Sequence, residues 1–103
     1  MPVFVMLSTL GPQGSATLRE NPERLHQVNA DVESMGVKIL HQYAVLGQWD
    51  FINIIEAPDE GTMAKVAMTL ASRGTLKTQT LAALSVEQFI AALSDDPGPG
   101  PGS

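Results

Sequence analysis

The stretch from Lys38 to Glu56, KILHQYAVLGQWDFINIIE, constrains the whole chain more than any other. Two runs rich in β-branched and aromatic side chains flank Gly47-Gln48-Trp49-Asp50, and that pattern predicts a β-hairpin. An isolated hairpin is marginal in water, so the other residues must bring it further strands and an apolar cover.

Taking Gln48 and Trp49 as a two-residue turn puts Gly47 opposite Asp50 and sets the register outward from there. Val45 then faces Ile52, Tyr43 faces Ile54 and His41 faces Glu56 on one side of the sheet. On the other side Leu46 faces Phe51, Ala44 faces Asn53 and Gln42 faces Ile55. The first face carries more β-branched side chains and is the one expected to pack on helices. The second joins Leu46, Phe51 and Ile55 to the amides of Gln42 and Asn53, a mixture that suits an oligomer interface or a small-ligand cavity. Gly47 is expected to take the positive φ of the turn, and Asp50 to accept from turn backbone N–H groups.

The rest of the chain supplies the missing strands. Pro2 to Leu10 is apolar on both alternating faces, as in a strand covered on both sides. Gly11-Pro12-Gln13-Gly14 breaks it, and Ser15 to Glu20 reads as a loop or one helical turn. Asn21-Pro22 reads as an N-cap with proline at the first helical position. Leu25, Val28, Val32 and Met35 then recur at helical spacing up to Gly36. A second helix is expected from Asp59 to Ser72, with Met63, Val66, Ala67 and Leu70 inside and Arg73-Gly74 closing it. Leu76 to Leu84 reads as a strand, and Ser85 to Gln88 as a capping box that opens a short helix carrying Val86, Phe89, Ile90 and Leu93.

The succession strand, helix, strand, strand, helix, strand predicts an α+β, ferredoxin-like βαββαβ sandwich with an antiparallel sheet and a short C-terminal helix. The domain is expected to span residues 1–94, and residues 95–103, with the Asp95-Asp96 pair, to form a flexible Pro-Gly tail. Strands one and three, the most apolar, belong at the centre of the sheet. Helices can cover one face of it, so the other calls for a second subunit.

With 103 residues the chain has room for one core. A net charge of -5, with six scattered Lys and Arg, argues against nucleic acid and anionic membranes as partners. No apolar run is long enough to cross a bilayer, and MPVFVMLSTL lacks the basic start of a signal peptide. Without cysteine there is no thiol chemistry, and a cytoplasmic location is expected.

Among groups that could carry chemistry, His41 paired with Glu56 is the best acid/base candidate, because a neighbouring carboxylate orients an imidazole and raises its basicity. A solvated pair at the open end of the hairpin accounts for the same two residues. Tyr43 or Asp50 could act as a proton-transfer partner. Trp49, at the tip, is expected to anchor a subunit interface or stack on a ligand, and to be buried only in the assembled protein. His26 and His41 sit in different elements and no carboxylates cluster with them, so no metal site and no cofactor are expected.

Gly47-Gln48-Trp49-Asp50 between two apolar strands resembles the G-x-aromatic-D signature of the GYD-domain family. The similarity extends to MPVFVMLSTL, the Asn21-Pro22-Glu23-Arg24 helix opening, IIEAPD at Ile54 to Asp59 and LKTQTL at Leu76 to Leu81. It covers all but the Pro-Gly tail. The resemblance implies a small bacterial ferredoxin-like protein, akin to dimeric α+β barrel proteins and of largely unassigned function. Trp49 stands where tyrosine is usual, so no phenolic hydroxyl is available there.

Two classes of function follow. One is a homo-oligomer that binds a protein partner or a small apolar or aromatic molecule. The other is a small cofactor-independent enzyme of the dimeric α+β barrel kind, an isomerase, cyclase or monooxygenase-like catalyst of proton transfer. In that case His41 would be base, Tyr43 or Asp50 its partner and Trp49 a wall.

Overall fold

A computed structural model describes residues 1–95. In chain order it contains β1 (Val3–Leu10), α1 (Pro12–Glu20), α2 (Arg24–Ser34), β2 (Lys38–Ala44), β3 (Phe51–Glu56), α3 (Glu60–Ser72), β4 (Leu76–Ala83) and α4 (Val86–Asp95). The strands form one antiparallel sheet in the order β2-β3-β1-β4, which is the ferredoxin-like arrangement with β1 and β3 at its centre. The expected tail lies outside the described residues, apart from the Asp95 backbone that ends α4.

Local chemistry explains most element boundaries. Asp59 is extended at the start of α3, and its Oδ1 accepts the Thr62 backbone N–H at 2.6 Å. Ser85 and Gln88 exchange two 3.0 Å hydrogen bonds as a complete capping box before α4. Met63, Val66 and Leu70, one stripe of α3, are buried against Phe4, Met6 and Ile55 of the sheet. Each such side chain contributes roughly 2 kcal/mol by leaving water.

Two helices depart from the sequence reading. α1 is a full helix where a loop or one helical turn was expected, because Pro12 sits in its first turn, where no N–H is needed, and Ser15 N–H bonds Gly11 O at 2.9 Å. Gly14 lets α1 lie against the start of β4, since a Cβ there would stand 2.8 Å from Thr75 O. α2 begins at Arg24 rather than Pro22. Asn21 terminates α1, and Arg24 N–H bonds Asn21 O while Leu25 N–H bonds Pro22 O, a tight i to i+3 turn between the helices. The fixed φ of Pro22 serves that turn as well as it would a helix start.

The hairpin forms in a different register. Tyr43 pairs with Ile52, Gln42 with Asn53 and Ala44 with Phe51, two residues away from the pairing that a two-residue turn would impose. The strands are joined by Val45 to Asp50, closed by a 2.8 Å bond from Val45 N–H to Asp50 O. Gly47 has φ 124°, the positive value expected. The same register places His41 opposite Ile54, so the expected His41–Glu56 pair does not form, and an irregularity between Ile39 and His41 then brings Glu56 opposite Lys38.

The two faces are also the reverse of the expected ones. Rows Ile39–Ile55–Phe4–Ala82, Gln42–Asn53–Met6–Thr80 and Ala44–Phe51–Ser8–Thr78 lie on the helix side. Within them Phe4, Met6, Ser8, Asn53 and Ile55 are buried. Rows His41–Ile54–Val5–Leu81 and Tyr43–Ile52–Leu7–Gln79 lie on the opposite side. β-branched content misled here, because half-exposed strand surfaces favour those residues as much as buried ones do.

Candidate functional site

Beneath the helices the sheet does not close completely. A cavity of about 390 Å³ lies between β1, β3 and the inner sides of α1, α2 and the end of α3. Its apolar wall includes Met6, Leu25, Val28, Phe51, Ile55 and Leu70. Thr17, Arg24 and Arg73 also border it and are exposed, so the cavity opens between α1, the start of α2 and the end of α3.

Three amides form its polar part. Asn29 Nδ2 donates to Gln42 Oε1 at 2.7 Å, and Gln42 Nε2 donates to Asn29 Oδ1 at 3.0 Å and to Asn53 Oδ1 at 2.6 Å. Both Gln42 Nε2 hydrogens are thereby used. This sharing lets β2 and β3 each turn an amide inward, since each buried polar group needs a partner. Ser8, 3% exposed, adds a hydroxyl to the lining beside Phe51.

Gln42, Phe51, Asn53 and Ile55, grouped in the sequence as one ligand or interface face, all border this cavity. Leu46 and Trp49 do not line it. Leu46 is fully exposed in the connection between β2 and β3, and Trp49 is half-buried within the single chain, so part of its surface is already covered without a partner.

His41 and Tyr43 stand together on the opposite face, their rings stacked with centroids 6.4 Å apart. Asp50 is held elsewhere. Its Oδ2 accepts the Leu10 backbone N–H at 2.7 Å, and its own N–H donates to Ser8 O at 2.8 Å. The carboxylate thus ties the connection to the end of β1 rather than bonding within the turn. The cavity wall contains no carboxylate, imidazole, lysine or phenol, and its charged members are Arg24 and Arg73. Among the described residues no three His, Asp or Glu side chains gather as a metal site requires, and no helix is long and apolar enough to cross a membrane.

Asn29, Ser8, Arg24 and Arg73 were not singled out in the sequence. Asn29 carried a legible signal, because it lies four residues after Leu25 and three before Val32, on the apolar stripe of α2. A polar residue on such a stripe needs a partner from the facing sheet.

The open face of the sheet is a second candidate surface. Val5, Leu7, Ile52 and Ile54 are half-buried at its centre, with Tyr43 (58% exposed) and Leu81 (44%) beside them. α4 adds another uncovered stripe, Val86, Phe89, Ile90 and Leu93, each more than half exposed.

Comparison with known proteins places these features in a family. The family model described as the GYD domain matches residues 4–93. The "Glutamine synthetase and cystathionine beta-lyase binding protein" of Thermus thermophilus is 50% identical over 94 residues, covering 90% of this chain and 99% of that one. Among solved structures, FFRP-DM1 superposes with a TM-score of 0.59 at 16% identity, over 82% of this chain and all of that one. TTHA0845 from Thermus thermophilus gives 0.55 at 16% identity, over 82% and 94%. At that identity the two structures speak for the fold alone. The match over nearly all the described residues, with the half-identical relative, shows that the chain belongs to the GYD domain family.

Proposed function

We propose that this chain is a self-associating protein-binding module of the cytoplasm, which docks on a metabolic enzyme. The observation that carries the reading is the open sheet face. Its two central strands present Val5, Leu7, Ile52 and Ile54, and no element of the described chain covers them. An apolar patch rimmed by His41, Gln79 and Lys77 has the composition of a protein interface. A second copy supplies an identical apolar face, and two such faces packed together remove both from water.

With that face closed, the stripe on α4 is the remaining run of large exposed apolar side chains. An amphipathic helix of this kind suits docking into a groove on another protein. The partner class comes from the Thermus relative, whose name says that it binds glutamine synthetase and cystathionine β-lyase. Half-identity along almost the whole of both chains supports carrying that kind of partner over to this one.

Proton-transfer catalysis fits the geometry less well. His41 and Tyr43 lie on the open face, Asp50 is engaged by the Leu10 N–H, and the cavity is lined by none of the three. A titration of the full chain against glutamine synthetase and cystathionine β-lyase, followed by surface plasmon resonance, tests the proposal. Binding to either enzyme is expected, with loss in Phe89→Glu and retained self-association. Absence of binding to both, or undiminished binding by Phe89→Glu, would overturn it.

A further inference from the structure

We propose that the cavity under the helices is a small-molecule site, and that its ligand is a carboxylic acid with an apolar or aromatic body and a carbonyl oxygen. The volume of about 390 Å³ falls within the range of small-ligand pockets, and the largely apolar wall specifies the body.

The amide network specifies the oxygen. Asn29 and Gln42 bond each other reciprocally, and the remaining N–H of Gln42 is directed to Asn53 Oδ1. Asn53 is therefore held with its oxygen toward Gln42. Its Nδ2 has no acceptor among the described residues, although Asn53 is only 8% exposed and borders the cavity. The Asn53 N–H groups stay open to the cavity, where they offer donors to an acceptor such as a carbonyl. The Ser8 hydroxyl, one row along the same sheet face, is close enough in register to share that role.

The mouth specifies the acid. Arg24 and Arg73 border the opening of a chain whose net charge is -5. Arg24 Nη1 donates to Gln27 at 2.8 Å, and Arg73 Nη1 stands 3.6 Å from Asp31, so each guanidinium keeps further N–H groups for a carboxylate. An acceptor at the inner end, an apolar middle and an anion at the mouth describe an oxo acid rather than a hydrocarbon or a cation. The site does not depend on the enzyme partner, and a chain that binds neither enzyme would still bind the acid.

The test is a ¹H–¹⁵N titration of the full chain with 4-benzoylbutyrate, its methyl ester, and 5-phenylpentanoate, which lacks the ketone. The acid is expected to shift the side-chain amide signals of Asn53, Gln42 and Asn29, and to leave the backbone signals of His41 and Tyr43 in place. Removing the ketone should weaken binding about tenfold, the effect of one well-placed hydrogen bond. The exposed substitution Arg24→Gln should weaken the acid by about threefold to tenfold and leave the ester unchanged. Val28→Phe should exclude all three, and Leu25→Phe serves the same purpose if that variant fails to fold. The proposal is overturned if no probe shifts those amides at millimolar concentration, or if ketone and hydrocarbon bind alike. It is equally overturned if Arg24→Gln has no effect on the acid or if the shifts fall on the open sheet face.

Discussion

Asp50 reaches from the β2–β3 connection to the last residue of β1, where its Oδ2 accepts the Leu10 backbone N–H at 2.7 Å across 40 residues of sequence. The same residue donates its own N–H to Ser8 O, so the connection is fastened to the central strand at two points. Replacing Asp50 by alanine leaves the part-buried Leu10 N–H without its acceptor and should cost about 2 kcal/mol in urea unfolding. Asp50→Asn keeps an acceptor oxygen, and its loss should be less than half as large.

Gly14 is a second place where packing overrides local preference. In an ordinary helix interior, alanine in place of glycine stabilises by about 1 kcal/mol. Here the new Cβ would stand 2.8 Å from Thr75 O, a backbone atom already bonded to Gly11 N–H. α1 must shift away from the start of β4, so Gly14→Ala should destabilise the fold by about 1 to 3 kcal/mol, measured by thermal or denaturant unfolding.

The start of α3 supplies a pH dependence. The Thr62 backbone N–H, and secondarily its side chain, hold the Asp59 carboxyl below its ordinary value of 3.8. A carboxyl depressed in the folded state stabilises fully above its unfolded pKa, and that contribution disappears as pH falls through the folded value. Urea midpoints of the wild-type chain should therefore drop between about pH 5 and about pH 3 more steeply than those of Asp59→Asn. The asparagine keeps the cap acceptor without the titration.

Element order, the central places of β1 and β3, the span of α3 with its closure at Arg73-Gly74 and the box before α4 were legible because each rests on local chemistry or simple periodicity. The hairpin register was not. Reading Gln48-Trp49 as the whole turn ignored that the Asp50 backbone could pair with Ser8 of β1, far away in sequence, a tertiary bond with no sequence signature. That extra pairing belongs to a longer connection, and the resulting shift of two residues moved Glu56 away from His41.

The inverted faces have a related origin. Gln42 and Asn53 stood on the face expected to meet a partner, yet Asn29 of α2 bonds the first and the first bonds the oxygen of the second. Strand composition cannot show a partner that arrives from a helix. Grouping Gln42, Phe51, Asn53 and Ile55 nevertheless survived the change of register, because a slip of two residues preserves alternation. The four surround a cavity within the chain rather than standing on its open face.

The most direct test of the central claim is sedimentation velocity of the full chain and of Ile54→Glu at micromolar concentration. Ile54 lies on the open face between His41 and Val5, half-buried and outside the core beneath the helices. The wild-type chain should sediment as a dimer or larger assembly, and Ile54→Glu as a folded monomer with an unchanged circular dichroism spectrum. A monomeric wild-type chain, or an assembly indifferent to Ile54→Glu, would contradict the account.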